Sequence, residues 1–308
     1  MKAGTGESQI VAIVGQTASG KSDLALDFAE ALRGVIIGAD AMQLYRGLDI
    51  GTAKTPVSER RGVPHFQLDV LDVDEDASVA AYQKHARADI EGLGGKLAVV
   101  TGGSGLYIRA LLEPISFPGH DAAVRARLNE ELESFGSAFL HERLRELDPL
   151  AGEMIHPNNG RRIVRALEVI EITGKPFTAS LPGPHYFYPG TRQFGIAWPI
   201  EELEKRIAAR SRIMFESGII DEAELLEDLP ITATAAKATG YKEALAVRHG
   251  EMTVDEAIWK VSLATRQLAM RQRKWFKRDP RIVWLDPKQD LMKQVLRALD
   301  FDDSKSFS

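Results

Sequence analysis

Short apolar blocks alternate with helically spaced apolar positions along the N-terminal part of the chain. Residues 9–14 are a run of β-branched residues ending in glycine, which reads as a buried strand. Residues 23–32 follow with Leu24, Ala25, Phe28, Ala31 and Leu32 at helical spacing. A second buried strand, 35–37, runs into Gly38-Ala39-Asp40, and 66–70 reads as a third. Ser78 is placed to cap a helix through Glu91, and 97–100 is another strand, stopped by Thr101-Gly102-Gly103. Strands alternating with helices predict a parallel sheet with helices on both faces. From Asp121 the pattern changes. Segments 121–135, 137–147 and 161–172 read as helices with no clear strand between them. A loop with Pro176, Pro182, Pro184 and Pro189 leads to a strand-like stretch, 193–198. An amphipathic helix over 201–217 ends at Gly218, a helix covers 255–276, and 282–285 reads as a final strand. The predicted organisation is an α/β core in two parts with an all-helical insertion. Residues 1–117 form the first part, 118–192 the insertion, 193–300 a mostly helical, basic second part, and 301–308 a tail; residues 1–8 read as loose.

Composition narrows the class. With 44% hydrophobic and 27% charged residues, the 308-residue chain can bury a substantial core, which excludes wholesale disorder. No apolar run approaches the roughly 20 residues that cross a bilayer. The apolar stretch near the N-terminus is too short for a signal peptide, so a cytosolic protein is expected. With no cysteine there is no disulfide framework, no thiolate metal site and no cysteine nucleophile. The net charge of −5 gives no hint of a nucleic-acid partner, but phosphate contacts depend on local clusters of Lys and Arg.

Gly15-Gln16-Thr17-Ala18-Ser19-Gly20-Lys21-Ser22 fits the phosphate-loop pattern G-x-x-x-x-G-K-[ST] between a predicted strand and a predicted helix. Backbone N–H groups of such a loop converge on phosphate oxygens at a helix N-terminus. Lys21 adds positive charge to the terminal phosphate, and Ser22 is the expected Mg²⁺ ligand. The loop specifies a polyphosphate rather than ATP. No acid follows the 97–100 strand in the manner of a Walker-B aspartate; Asp40 follows the second strand instead. It sits where ligands bind in open α/β sheets, and its residue type suits a general base or, equally, the cap of a turn starting at Ala41.

Taken together, the motifs resemble the tRNA dimethylallyltransferase (isopentenyl-tRNA transferase) family from about residue 10 to 285. The resemblance rests on the phosphate loop, Asp40-Ala41-Met42-Gln43-Leu44-Tyr45, Gly51-Thr52-Ala53-Lys54 and Pro64-His65. It continues through Gly102-Gly103-Ser104-Gly105-Leu106-Tyr107, His156-Pro157-Asn158, the 162–169 segment, Gly240-Tyr241-Lys242-Glu243, and 265–269 with Arg271-Gln272. It implies that the loop binds dimethylallyl diphosphate with Mg²⁺, and that the acceptor is N6 of the adenosine 3′ of the anticodon in tRNAs reading codons that begin with U. A monomer is implied as well. Asp40 would then be the catalytic base, assisted by Lys21. Ser104 stands where the family has Thr and inherits its contact with the reacting groups. The resemblance assigns tRNA contact to Asp40, Ala41, Met42 and Gln43 and to Arg161, Arg162, Ile163, Val164 and Arg165, with a flipped base reaching a channel between core and insertion. The chain departs from the family at Gln16 (usually Pro), Ala41 (usually Ser), Ser104 and Phe66 (commonly His).

Segment 260–281 carries eight basic residues against one acid, Asp279. Arg271 and Lys274 are its expected phosphate contacts, and Trp275 and Phe276 can stack on loop bases. A solvated helix face with aromatic core anchors accounts for the same segment. Tyr45 and Tyr107 are candidates for an aromatic donor pocket or for core packing. His65, His120, His141, His156, His185 and His249 lack ligand spacing, so no metal besides Mg²⁺ is expected. A P-loop small-molecule or nucleoside kinase is the alternative reading.

Overall fold

The computed structural model describes residues 9–180, 185–230 and 233–299. The two expected tails, together with Pro182 and Pro184, lie outside these residues. Two compact units emerge: residues up to Leu112 with those from Tyr188 onward, and Glu113–Phe187.

The first unit is built on strands β1 (Ile10–Val14), β2 (Val35–Gly38), β3 (His65–Phe66), β4 (Ala98–Gly102), β5 (Arg192–Ile196) and β6 (Ile282–Leu285). They form one parallel sheet in the order β3-β2-β4-β1-β5-β6. Its helices are α1 (Lys21–Ala31), α2 (Val79–Glu91) and α3 (Gly105–Leu112). Strand β1 is buried at every position, as a strand covered on both faces must be. Val11 and Ile13 meet Leu24 and Phe28 of α1, in a core that also holds Ile36, Val99 and Phe194. The predicted third strand shrinks to two residues. Gln67 and Asp69 take φ of 58° and 55°, which a strand cannot accommodate, and the chain peels away from the sheet edge.

The second unit contains α4 (Ala122–Leu147), α5 (Pro149–Met154) and α6 (Gly160–Thr173). The two helices expected over 121–135 and 137–147 are present as the two halves of α4, separated by a kink at Gly136, whose φ of 79° and ψ of 168° are open to glycine but strained for other residues. Helix α5 was not legible because six residues are too few to show a period. Leu128, Leu140, Leu144, Ile163, Val164 and Leu167 make this unit's own core. The unit spans 113–187 where 118–192 was expected. It begins where α3 stops, and Thr191, buried beside β5, belongs with the sheet.

The rest of the first unit is helical: α7 (Ile200–Glu216), α8 (Ile219–Glu222), α9 (Tyr241–Arg248), α10 (Val254–Phe276) and α11 (Leu291–Ala298). A capping box of Thr253 and Glu256 starts α10. Met292 and Val295 of α11 pack onto the same sheet face as α1. Among the described residues no helix is long and apolar enough to cross a membrane.

Candidate active site

Strand order places the chemistry. With β2, β4 and β1 adjacent, the segments leaving their carboxyl ends carry Asp40, Ser104 and the 15–22 loop side by side. The loop opens α1 through Gly20, at φ 85°, which offers no side-chain acceptor to the first-turn N–H groups. Those N–H groups and the positive end of the helix dipole are left for an anion.

Distant segments fix the loop's shape. The Thr17 N–H donates to Gln272 Oε1 at 2.8 Å, and Gln272 Nε2 donates to Gly103 O at 3.0 Å. Arg210 donates to Thr17 Oγ1 at 3.2 Å, Arg206 Nε to Ala18 O at 2.7 Å, and Trp198 Nε1 to Ser19 O at 2.8 Å. The Arg206 guanidinium also lies 4.7 Å from the Trp198 ring centre. Ala18, at φ 60°, is held in the left-handed region by this frame. Gln16 is buried, and its Oε1 has no hydrogen-bond partner among the described residues.

Asp40 Oδ1 accepts the Met42 N–H at 3.1 Å, so the acid does close a turn; the residues after it form no helix. The same carboxylate lines two cavities. One, about 40 Å³, is polar and shared with Thr17, Lys21, Ser22, Thr101 and Arg210. The other, about 80 Å³, has apolar walls from Met42, Ile207, Met214 and Leu268, with Ser211 and Thr265 among them. A phosphate site and an apolar site therefore meet at Asp40. Ser104 Oγ accepts the Ala41 N–H at 3.1 Å, so its hydroxyl helps set the acid's backbone. Gln43 Nε2 donates to Thr52 O at 3.0 Å and to Ala53 O at 3.3 Å, so it shapes the cavity wall.

Burial draws the Lys21 ammonium down to about 8; attraction to Asp40 opposes this, and Arg210 adds to it. Burial likewise lowers Arg210, with Asp40 and Asp23 pulling the other way.

Several expected site residues are placed otherwise. Ile163 and Val164 are core residues of the second unit, their side chains facing inward at helical spacing and so turned away from the surface where RNA contact was expected. Arg165 is engaged by Glu168 at 2.6 Å and by the carbonyls of Pro118 and Gly119, whereas Arg161 and Arg162 are exposed. Phe276 is buried and anchors α10, while Trp275 is 42% exposed. Arg271 and Lys274 are exposed. Tyr45 is core, its hydroxyl donating to Glu75 O and accepting from Ala77 N, and Tyr107 packs on Tyr82. His120 and His249 pair with Glu168 and Glu227, and His141 bonds the carbonyls of Gly152 and Ile155. Sequence reasoning missed Arg210 and gave Gln272 no role. Arg210 had a signal: with Ile207, Ser211 and Met214 it forms one stripe of α7, where a lone cation interrupts inward positions.

Fold and site together define a P-loop α/β protein in which a carboxylate borders the phosphate cradle. Residues 43–279 match the model of the IPP transferase family, and the chain belongs to that family. A tRNA dimethylallyltransferase of a Nocardioides species is 52% identical over 280 residues, 90% of each chain. The full-length tRNA isopentenylpyrophosphate transferase of Bacillus halodurans superposes with a TM-score of 0.67 at 36% identity, covering 96% of this chain and 95% of that one. A eukaryotic dimethylallyltransferase captured acting on tRNA gives 0.82 at 25% identity, covering 95% and 78%. None of these relatives is a kinase, and the kinase alternative is set aside.

Proposed function

We propose that this chain transfers a dimethylallyl group from dimethylallyl diphosphate to N6 of the adenosine 3′ of the anticodon in tRNAs reading codons that begin with U, releasing pyrophosphate. The observation that carries the reading is the meeting of an anion cradle and an apolar cavity at one carboxylate. The relatives named as tRNA dimethylallyltransferases support it.

The chemistry divides among these residues. The cradle and Lys21 hold the diphosphate, with Arg210 on its flank, and the five-carbon chain lies against Ile207, Met214 and Leu268. The N6 lone pair is delocalised into the adenine ring and attacks poorly unless its proton is removed. Asp40 takes that proton as the N6–C1 bond forms. The C1–O bond breaks, and its electron pair departs on pyrophosphate, whose added charge meets Lys21, Arg210 and the first-turn N–H groups. Among the described residues no group of three acids or histidines forms a metal cage. Mg²⁺ fits all the same, because it keeps water and phosphate ligands and needs little from the protein. Ser22, which lines the polar cavity, would hold it, and when bound it would neutralise leaving-group charge. Exposed Arg161, Arg162, Arg271 and Lys274 receive RNA phosphates, and the chain acts as a cytoplasmic monomer.

Labelled dimethylallyl diphosphate and unmodified tRNA test this directly. Wild type should yield N6-isopentenyladenosine by nucleoside mass spectrometry. Asp40→Asn should lower kcat by roughly a hundredfold or more while tRNA affinity stays within about twofold. Equal loss of binding and turnover, or no product from wild type, removes the reading.

A further inference from the structure

Gln272 lies 255 positions from Thr17 in the chain, and its one amide joins two segments of the reaction centre. Its oxygen takes the Thr17 N–H at 2.8 Å; its nitrogen donates to Gly103 O at 3.0 Å. Both bonds run in the directions an amide permits: the oxygen accepts and the nitrogen donates. Gly103 precedes Ser104, whose hydroxyl accepts the Ala41 N–H beside Asp40. An unbroken path of hydrogen bonds and covalent links thus runs from the phosphate loop to the catalytic acid. A Cβ at Gly103 would come within 2.4 Å of Gln272 Nε2 and displace the end of that side chain. Gln272 also lines the apolar cavity together with Asp40. On either side of it along α10, Arg271 and Lys274 face solvent.

We propose that Gln272 is a positioning residue that fixes the distance between the diphosphate cradle and Asp40; this rests on the prenyl-transfer reading above. It touches neither reacting group. It acts by keeping the Thr17 segment and the 102–105 turn in one relative placement, so that the N6–Asp40 and C1–diphosphate geometries are met together. A misplacement of about 1 Å at such a junction costs on the order of a hundredfold in rate without loss of binding.

The test uses the full chain. Gln272→Met preserves length and bulk and removes both polar atoms. It should lower kcat by roughly ten- to a hundredfold, leave the KM for tRNA within about threefold, and leave Tm within a few degrees. Gln272→Glu adds a readout that general destabilisation does not move. Ionised, its carboxylate repels Gly103 O; protonated, it can donate to that oxygen and accept from Thr17 as the amide does. The groups facing this position are Asp40, Arg210 and, through the loop, Lys21. Wild type is measured alongside over the same pH range, and the ratio of variant to wild-type kcat is the measured quantity. That ratio should rise as pH falls. Hydrogen exchange at the Thr17 amide, read without turnover, should speed up in Gln272→Met. A kcat for Gln272→Met within about twofold of wild type, or a flat ratio for Gln272→Glu, overturns the proposal. If wild type transfers no prenyl group, the functional reading fails by itself; unchanged Thr17 exchange in Gln272→Met removes the clamp whatever the activity.

Discussion

Lys21 shows how one residue's setting becomes a pH dependence. Its ammonium is partly buried among Asp40, Arg210 and Asp23, and burial lowers it to about 8. The charged form is the one that binds an anion. Below about 8 it is already present; above, binding must draw a proton from solvent first. Pyrophosphate affinity should therefore fall as pH rises through about 8, and calorimetry in buffers of differing ionisation enthalpy should register proton uptake at the upper end. Lys21→Met supplies the baseline for the ligand's own ionisation. An affinity that does not fall relative to that baseline, without proton uptake, would show that Lys21 stays fully charged in the free protein.

At the scale of an element, α6 is organised around an acid. Glu168 is fully buried, and burial alone would raise its carboxyl. Hydrogen bonds from Arg125, Arg165 and His120 overcome that and hold it at about 2. Because the folded-state value lies below the unfolded one, the stabilisation is complete above the ordinary carboxylate range. It is lost as pH falls from about 4.5 towards 2. The amides of α6 should lose exchange protection over that window before those of α1. Glu168→Ala should destabilise the helical unit by about 3 kcal/mol, since two guanidinium groups lose their partner, and denaturant unfolding measures it. This arrangement also explains why the run of site residues expected over 161–165 divides. Helical geometry turns Ile163 and Val164 inward and gives Arg165 to Glu168; only Arg161 and Arg162 remain at the surface.

For the whole molecule, the proposed RNA surface differs from the net charge. Arg271 and Lys274 are exposed on an acidic chain, so their effect is local. Substituting either by Ala should weaken tRNA binding and reduce the slope of log K against log salt by about 1. Arg266, committed to Glu204, should leave that slope unchanged when substituted. A titration of fluorescent tRNA at several salt concentrations reads both.

The sequence alone determined what depends on near neighbours in the chain. The phosphate loop, its strand and its helix lie within about twenty consecutive residues, and each is specified by local turn chemistry and periodicity. Asp40, at the end of a strand, was legible for the same reason. Helix α5 and the truncation of β3 were not, because one is shorter than its own signal and the other is stopped by left-handed residues that are not glycine. Tertiary structure alone decided that Phe276 and Tyr45 pack in the core and that Arg165 reaches the carbonyls of Pro118 and Gly119, since burial and these partners are supplied by remote segments. It alone brought Arg210 and Gln272 to Thr17 across 193 and 255 positions. Contacts at that separation leave no period in a single sequence; they exist only once β2, β4 and β1 have been set side by side.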